Sequence, residues 1–555
     1  MDRDIHKARA LVVEPQETMR SILAAQLRDP GVGHVTTVQR TREARLALEQ
    51  GPFDIVLCCR EFEGMPDNGQ DLLGELRREN QLPHSTVFIM LCSEVTYHQV
   101  VEAGESALDG LIIRPCSATA LESRLLEARK RKRELDPVLQ ALDSGQDEQA
   151  LALAIRRWEA QQPYAQWCGR LGGELLLRLG RTGEARRVFE ALADSEGASW
   201  ALLGVARAQL AAGQWQQAQS VVQRVLQSDP DNADAHELDG RLLMEQSQFD
   251  RALQAYGRAV EITPSCLLRN QHAGALAFYQ GQAASPAQWL SSAVSIGSQS
   301  KLFDPLTLVL LAMLRADAGD VPGLHAAASH LALYRQRFAD SPRLQRLGDV
   351  MEAQVMMAEG RTHVATASLS TLSDAARDDA FDIEGANLLL GLWARTPAGQ
   401  RFGPEHEALV RRLGLRFCTG RAITEILMAA SRRDATVVGW LQACQQAVSS
   451  VAERAVEHSL AGKPAAALAL LLEHARQHPN AKLIEMAVAL GHRAMKARGH
   501  AHQPDLQAAL DEARALQART PRAASHVTAI QRNGRSPGGL HLRVRAQETA
   551  DAEGN

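Results

Sequence analysis

The residues that could take part in chemistry stand directly after short apolar runs in the first 130 positions. They comprise a carboxylate, a hydroxyl, a guanidinium and several thiols, namely Glu14 before Pro15, Cys59, Cys92 before Ser93, Arg114 before Pro115, and Cys116. An arginine can lower the pKa of a nearby thiol, and clustered thiols can form a redox switch or bind a soft metal. These residue types therefore point to thiol chemistry if the fold brings the ends of the runs together.

The elements that must position these residues alternate between strand and helix. Five mainly apolar runs predict strands: ALVV (10–13), HVTTV (34–38), DIVLCC (54–59), TVFIMLC (86–92) and GLIIRP (110–115). Helical spacing follows each run, over 17–29, 42–50, 70–80, 96–104 and 118–135. Continuously apolar strands are typical of a parallel sheet that is covered on both faces. We therefore predict a flavodoxin-like α/β domain with a five-stranded parallel sheet, whose carboxyl edge carries the candidate residues.

This ordered set of strand ends, followed by GMPDNG (64–69), resembles the receiver domain of bacterial response regulators. That family ends its first strand with two acids, its third with the phosphoacceptor Asp, its fourth with Thr or Ser, and its fifth with Lys-Pro. The resemblance covers roughly residues 8–130 and implies two-component (phosphorelay) signalling.

The sequence departs from the family at the positions that matter most for phosphotransfer. The acidic pair is reduced to Glu14 beside Pro15, the phosphoacceptor position falls on Cys59, and the lysine is Arg114. Asp54 begins the strand that Cys59 ends, so it lies at the wrong end of the sheet. Because Mg²⁺ requires hard oxygen ligands and a thiol cannot form an aspartyl phosphate, we predict a pseudo-receiver that does not accept phosphate.

The cysteines allow two interpretations. Cys59, Cys92 and Cys116 could form a thiol- or metal-responsive switch beside Arg114, or they could fill the end of the sheet as small apolar side chains. No CxxC and no Cys/His spacing supports a metal site, so core packing is favoured. We predict no metal and no cofactor.

From about residue 136 the chain repeats with a period of 34 residues. The period and the residue types are those of the tetratricopeptide (TPR) repeat, with signature residues Gly213, Ala218, Pro230, Gly240, Ala252, Tyr256, Ala259 and Pro264. A glycine followed five residues later by alanine recurs at 145/150, 180/185, 360/365 and 462/467. The glycine turns the chain between two antiparallel helices, and the alanine lets them approach. Stacked pairs predict a right-handed all-α superhelical solenoid with a concave groove.

These patterns divide the chain into six segments. They are a receiver-like domain (1–130), a charged linker (131–137), TPR repeats (138–270, clearest at 199–264), degenerate TPR-like helical pairs (271–445), C-terminal helical repeats (446–518) and a tail predicted to be disordered (519–555). The linker contains most of the basic run RKRKR (129–133), which we interpret as a solvated face at a domain junction.

Composition sets the remaining expectations. The 555 residues carry a net charge of −4, and eight cysteines without framework spacing predict reduced thiols and a cytoplasmic protein. The longest apolar run (306–314) is shorter than the ~20 residues needed to span a bilayer.

We therefore predict a non-enzymatic adaptor that acts by protein–protein interaction. Its partners would be a histidine kinase, another response regulator or a peptide ligand of the TPR groove, with no membrane contact. Nucleic-acid binding through 129–133 and the Arg-rich tail is a weaker alternative, because the tail has no lysine and no interleaved aromatic residues.

Overall fold

The computed structural model describes residues 4–62, 69–78, 81–93, 108–196, 198–281, 285–297, 303–337, 340–378, 381–396, 404–497 and 504–520. The predicted helix at 96–104 and the tail beyond residue 520 lie outside these ranges, as does most of GMPDNG.

The N-terminal domain is the predicted flavodoxin-like α/β fold. Its strands are all parallel and lie in the order β2-β1-β3-β4-β5, with bounds β1 Arg9–Val13, β2 His34–Val38, β3 Ile55–Cys59, β4 Val87–Cys92 and β5 Gly110–Ile113. The helices that pack on it are α1 Glu17–Arg28, α2 Thr41–Glu49, α3 Gly69–Arg78 and α4 Ala118–Glu134. β3 and β4 are fully buried, as expected for central strands covered on both faces.

The rest of the described chain is helical. The helices that follow are α5 Asp136–Asp143, α6 Asp147–Glu159, α7 Ala165–Arg178, α8 Thr182–Glu196, α9 Ser199–Ala211, α10 Trp215–Ser228, α11 Ala233–Glu245, α12 Phe249–Ile262, α13 Leu267–Gln280, α14 Ser285–Gly297, α15 Leu306–Asp317, α16 Val321–Arg337, α17 Pro342–Ala358, α18 Thr362–Ala375, α19 Ile383–Trp393, α20 Pro404–Phe417, α21 Arg421–Ala430, α22 Ala435–Leu460, α23 Pro464–Gln477, α24 Ala481–Ala497 and α25 Pro504–Arg519.

The glycine-and-alanine pattern marks the turns between paired helices. Every predicted turn glycine has a left-handed φ of about +70°, and the alanine five residues later is buried. Gly281 and Gly319 make the same turn but lack that alanine, so the pattern missed them. Ser247 takes the place of glycine between α11 and α12, with φ +58°.

Several of the segment boundaries drawn from the sequence fall inside helices. α4 continues past residue 130 to Glu134, α13 crosses the 270/271 boundary, and α22 is a single helix across 445/446. The array begins with α5 at Asp136, which follows α4 after Leu135 alone.

The interpretation of RKRKR as a solvated face is wrong for two of its residues. Arg131 and Lys132 both form ion pairs with Asp109, whose side chain is only 4% exposed. Lys132 also donates a 2.7 Å hydrogen bond to the carbonyl of His84. The His84 ring in turn contacts Asp143, with 2.6 Å between Nδ1 and Oδ1. These contacts tie the amino ends of β4 and β5 to α5, and we call them the junction cluster.

The middle of the array consists of paired helices, and the first helices of its pairs also contact one another. The first helices of successive pairs (α13, α15, α17, α19 and α21) each contact the next, and α21 returns to contact α13. Residues 267–279 of α13 are all buried. The inner helices of this part of the array therefore close into a ring, and the side chains of α13 are buried inside it.

Two sets of polar contacts define the rims of this ring. At the amino ends of the inner helices, Arg343 binds Asp304 and Glu384 at 2.8 and 2.6 Å. At the carboxyl ends, Arg432 donates to the carbonyls of Phe278 and Tyr279 at 3.3 and 3.4 Å. The inner helices are therefore parallel, and an arginine binds carbonyls of the last turn of α13 where the last inner helix meets the first.

Candidate functional site

The strand ends meet at the carboxyl edge of the sheet, which places the predicted pocket residues close together. Glu14 follows β1, Cys59 ends β3, and Cys92 ends β4 beside Ser93. Arg114 follows β5 and is joined to Pro115 by a cis peptide bond. We call this group the strand-end pocket.

Arg114 links two other members of the pocket. Its Nη1 donates to Glu14 Oε2 at 2.5 Å, and its Nη2 donates to Ser93 Oγ at 2.8 Å. The second carboxylate oxygen of Glu14 accepts the backbone N–H of Gln16 at 3.1 Å. Because Glu14 is completely buried, its charge requires such a partner, and the guanidinium supplies it from within the protein.

Pro15 has no side-chain atom that could bind a metal, and its carbonyl oxygen already accepts a hydrogen bond. The Arg20 Nη1 donates to the carbonyls of Glu14 and Pro15 at 2.8 and 3.2 Å. Gln16 then precedes α1, so the backbone beside the carboxylate is held by the Arg20 side chain of that helix.

Cys59 is buried and protonated at neutral pH. Burial, together with the charge of Glu14, raises the pKa of its thiol to about 12, although Arg114 acts to lower the pKa. The thiol donates to the carbonyl of Glu61 at 3.0 Å. The arginine thus acts in the direction predicted from the sequence, but burial outweighs it.

The other thiols near the pocket also have raised pKa values. Burial raises the pKa values of Cys58, Cys92 and Cys116. Cys58, Cys59 and Cys92 belong to the hydrophobic layer under α2 and α3, whereas Cys116 packs on the opposite layer with α1 and α4. Cys59 and Cys92 therefore lie on the opposite side of the sheet from Cys116, and the eight cysteines are free thiols.

The residues present do not fit the Mg²⁺ ion that receiver domains use. The two Glu14 oxygens are occupied by Arg114 and by the Gln16 N–H, Pro15 offers no side-chain oxygen, and the Cys59 thiol keeps its proton. Mg²⁺ binds carboxylates and waters and competes poorly for such a set. Within the described ranges, no group of three or more His, Cys, Asp or Glu side chains is placed to hold a metal ion.

Gly69, the first residue of α3, lies tightly against the end of β3. The Gly69 N–H donates to the carbonyl of Arg60 at 2.9 Å. A Cβ at position 69 would collide with the Cys59 carbonyl and come within 2.9 Å of the Cys58 sulfur. Glycine is therefore required there, and it begins α3 beside the pocket.

The TPR signature residues lie where two helices of a pair meet. A Cβ on Gly240 would come within 2.9 Å of the Tyr256 ring, and Ala218, Ala252 and Ala259 are fully buried. Gly274 and Leu290 repeat the Gly240–Tyr256 contact 34 residues later, which the sequence analysis missed because leucine replaces the aromatic residue. These residues pack helices and carry no chemistry.

Fold and pocket together define a receiver-type α/β domain that is joined to an array of helical repeats. Residues 10–126 match the family "Response regulator receiver domain", and residues 176–242 match "Tetratricopeptide repeat". The chain belongs, through its N-terminal domain, to the response regulator receiver family.

Similar proteins match the two parts separately. The chain is 32% identical over 115 residues to chemotaxis protein CheY-3 of Vibrio cholerae, which covers 21% of this chain and 86% of that protein. It is 30% identical to chemotaxis protein CheY of Pseudomonas aeruginosa over 21% of this chain and 90% of that protein. Among solved structures, a TPR repeat-containing protein from Cytophaga hutchinsonii is 16% identical, with a TM-score of 0.30, over 48% of this chain and 98% of that chain.

Receiver and TPR domains are interaction domains, and their combination indicates two-component signalling through protein contacts. No helix within the described part of the chain has both the length and the apolar character needed to cross a membrane.

Proposed function

We propose that this protein is a phosphorylation-independent adaptor of a two-component pathway. Its receiver domain docks a family partner without accepting a phosphoryl group, and its helical array holds a second protein. It acts by binding rather than by catalysis.

The observation that carries this proposal is the internal pairing of the strand-end pocket. A thiol stands at the phosphoacceptor position, and the remaining carboxylate, Glu14, is neutralised by Arg114. Burial holds the pKa of Cys59 far above neutrality, so the thiol is also a poor substitute nucleophile. The pocket has the shape of its family but lacks both the nucleophile and the metal ligands.

Phosphoryl transfer tests the receiver half. Purified protein is incubated with Mg²⁺ and radiolabelled acetyl phosphate, and separately with a phosphorylated histidine kinase, beside a receiver that retains its aspartate. We expect no label on this protein and full label on the control. Stable label on any residue of this chain would contradict the proposal.

The variant Cys59→Asp sharpens the test, because it restores the nucleophile alone. We expect it to remain unlabelled, since Arg114 still occupies Glu14 and position 15 still lacks a carboxylate. Mg²⁺-dependent labelling of Cys59→Asp would show that the pocket can still bind the metal, and the argument from Glu14 and Arg114 would then be wrong.

The partners we propose are a histidine kinase or another response regulator at the receiver and a peptide-bearing protein at the array. Cross-linking of the full chain in its native host, read by mass spectrometry, would place partner cross-links on both halves. Cross-links confined to the receiver would remove the array from the binding function.

Two alternatives have less support. A thiol switch would need a reactive Cys59 or Cys92, yet burial raises the pKa of both. Thiol titration before and after mild peroxide decides this, and we expect no loss of free thiols in the receiver.

Nucleic-acid binding through 129–133 is weakened because Arg131 and Lys132 form ion pairs with Asp109. We therefore expect no salt-dependent shift of a labelled oligonucleotide.

We infer that the protein acts in the cytoplasm. Eight free thiols, several of them buried in cores, suit a reducing compartment. Fractionation of the native host would test this, with recovery in the periplasm or membrane as the contrary result.

A further inference from the structure

The junction cluster attaches the far end of α5 to the receiver through a histidine. The backbone N–H of His84 donates to both carboxylate oxygens of Asp143, at 2.9 and 3.2 Å, and the ring Nδ1 lies 2.6 Å from Oδ1. Asp143 is the last residue of α5, whereas the first, Asp136, follows α4 after Leu135 alone. α5 is therefore attached to the receiver at both ends, by the chain itself at one and by His84 at the other.

The contact with Asp143 determines where the His84 ring carries its proton. Because the carboxylate accepts a hydrogen bond, Nδ1 carries the single proton of the neutral ring and Nε2 is left without one. Nε2 is shielded from solvent and has no hydrogen-bond partner among the residues that the structure describes. A second proton on the ring would therefore create a buried donor without an acceptor, which is costly.

Two cations face His84 from the helices around it. Lys132 of α4 donates to the His84 carbonyl at 2.7 Å. Arg77, at the end of α3, donates to the carbonyls of Leu82 and Thr86 at 3.1 and 3.2 Å, so it is anchored to the segment that carries His84. A positive charge on the ring would lie beside both of them.

Asp143 is the acid that contacts the ring, and its attraction is outweighed. Asp109, the other acid of the junction cluster, is paired with Arg131 and Lys132. Burial lowers the pKa of His84, and Arg77 and Lys132 lower it further, although Asp143 acts to raise it. The His84 ring is therefore neutral at pH 7 while α5 is docked.

We propose that the junction is a pH-sensitive link between the receiver and the array. The neutral His84 ring holds Asp143 and keeps α5 docked, and protonation of the ring releases the far end of α5, which stays attached through Leu135. The inference goes beyond the adaptor function, because it makes the attachment of the array depend on proton concentration.

The sign of the effect follows from the two states of His84. A released imidazole has a pKa of about 6.5, and the docked one has a lower pKa. Docking is therefore strongest above pH 6.5 and weakens as the pH falls from 6.5 towards the pKa of the docked ring, below which it weakens no further.

The other titratable groups of the junction cluster keep their charges between pH 5.5 and 7.0. Burial lowers the pKa of Lys132 only to about 8. Burial alone would raise the pKa values of Asp109 and Asp143, but their partners hold both below the usual range. A change in docking within this interval is therefore assigned to His84.

Hydrogen exchange of the full chain at pH 7.0 and 5.5 tests the proposal, with each rate divided by the intrinsic exchange rate at that pH. We expect the opening constant of 136–143 to rise by up to about eightfold at pH 5.5. The helix α10 (215–228) has no part in the junction cluster and should show no such rise.

Two histidine variants identify the group responsible. His84→Asn places an amide N–H near the position of Nδ1 but cannot be protonated, so the rise should disappear. His330→Asn removes an exposed histidine of α16 and should leave the rise intact.

The proposal is overturned if the opening constant of 136–143 is the same at both pH values, or if it rises equally in His84→Asn. If His84→Asn fails to fold, deuterium exchange at Cε1 of the His84 ring, read by mass spectrometry of the unaltered chain, gives the imidazole pKa directly. A midpoint below pH 6.5 would support the proposal, and a midpoint at or above pH 6.5 would overturn it.

Discussion

Arg114 is the residue on which the receiver pocket depends. It neutralises the buried Glu14 and holds Ser93, so one side chain connects the ends of β1, β4 and β5. A family that transfers phosphate leaves such groups free for its metal and its phosphoryl group. In this chain Glu14 and Ser93 already have Arg114 as a partner within the protein.

Replacing Arg114 with methionine should destabilise the protein strongly. The change leaves Glu14 buried without a partner, which costs about 3–5 kcal/mol, whereas the double variant Glu14→Gln/Arg114→Met should recover most of that loss. Calorimetry of the full chain measures both. Equal destabilisation by the single and double variants would show that the pair matters for packing rather than for charge.

The pKa of Cys59 predicts how slowly its thiol reacts. At pH 8 a thiol of pKa about 12 has roughly a thousandfold less thiolate than one at its ordinary 9.0. Alkylation of Cys59 by iodoacetamide, read by mass spectrometry, should therefore be at least that much slower in the folded protein than in urea. It should rise about tenfold per pH unit through pH 9–11, and a plateau near pH 9 would contradict the raised pKa.

The same shift predicts a loss of stability at high pH. Because the folded pKa lies above the unfolded one, the protonated thiol stabilises the fold fully below pH 9. This contribution declines by about 1.4 kcal/mol per pH unit as the pH rises from 9 to 12. In Cys59→Ala the unfolding free energy should decline less steeply with pH over that range. An unchanged slope of unfolding free energy against pH would contradict the proposed role of Cys59.

At the residue scale, the sequence identified which residues form the strand-end pocket but not which of them bind each other. The order of Glu14, Cys59, Ser93 and Arg114 along the chain was sufficient to bring them to one edge, because parallel strands share their carboxyl ends. The sequence could not show that Arg114 binds Glu14 rather than activating Cys59. That choice depends on burial and on distances of a few ångströms between strands.

At the scale of elements, the turns between helices are the features from which the sequence predicts the helix pairs. Glycines with left-handed φ end one helix and begin the next, and a buried alanine follows each of the predicted ones. This pattern found the paired helices at both ends of the array. It missed Gly319, where Leu324 replaces the alanine, because the pair packs a larger side chain at the same place.

Gly281 and Gly319 form a matched pair for testing these turns. Both have φ above +70°, so alanine costs about 1 kcal/mol of backbone strain at either site. Only Gly281 also faces Arg432, whereas a Cβ at Gly319 meets nothing within 4 Å. Gly281→Ala should therefore lower the melting temperature more than Gly319→Ala, and equal shifts would mean that the Arg432 contact contributes little.

At the scale of the whole molecule, the junction cluster connects the receiver to the first helix of the array. Burial alone would raise the pKa of Asp109, but Lys132, Arg131 and Arg77 lower it. His84 and Asp143 complete the link to α5. The cluster lies at the amino ends of β4 and β5, so the strand-end pocket faces away from it.

Asp109→Asn tests that coupling, because it leaves Arg131 and Lys132 without their carboxylate. We expect faster hydrogen exchange both in 81–93 and in 136–143, with a loss of about 3–5 kcal/mol. The control Asp4→Asn breaks an exposed pair with Lys7 and should change stability by less than about 1 kcal/mol. Faster exchange in the receiver alone would show that the two parts are not coupled through Asp109.

Sequence reasoning was least successful at this largest scale. The 34-residue period predicts how each helix pair meets the next, because those contacts are local. Closure of the ring joins Arg432 to Phe278 across 154 residues, and nothing in the repeat pattern specifies it.

That same closure determines the order in which the protein can be completed during its synthesis. The ribosome must add 154 residues after Phe278 before Arg432 exists. At about 5–20 residues per second this takes roughly 8–30 s. Throughout that interval the apolar face of α13 that packs against α21 has no partner. We therefore expect chains that are truncated before Arg432 to need chaperones and to aggregate.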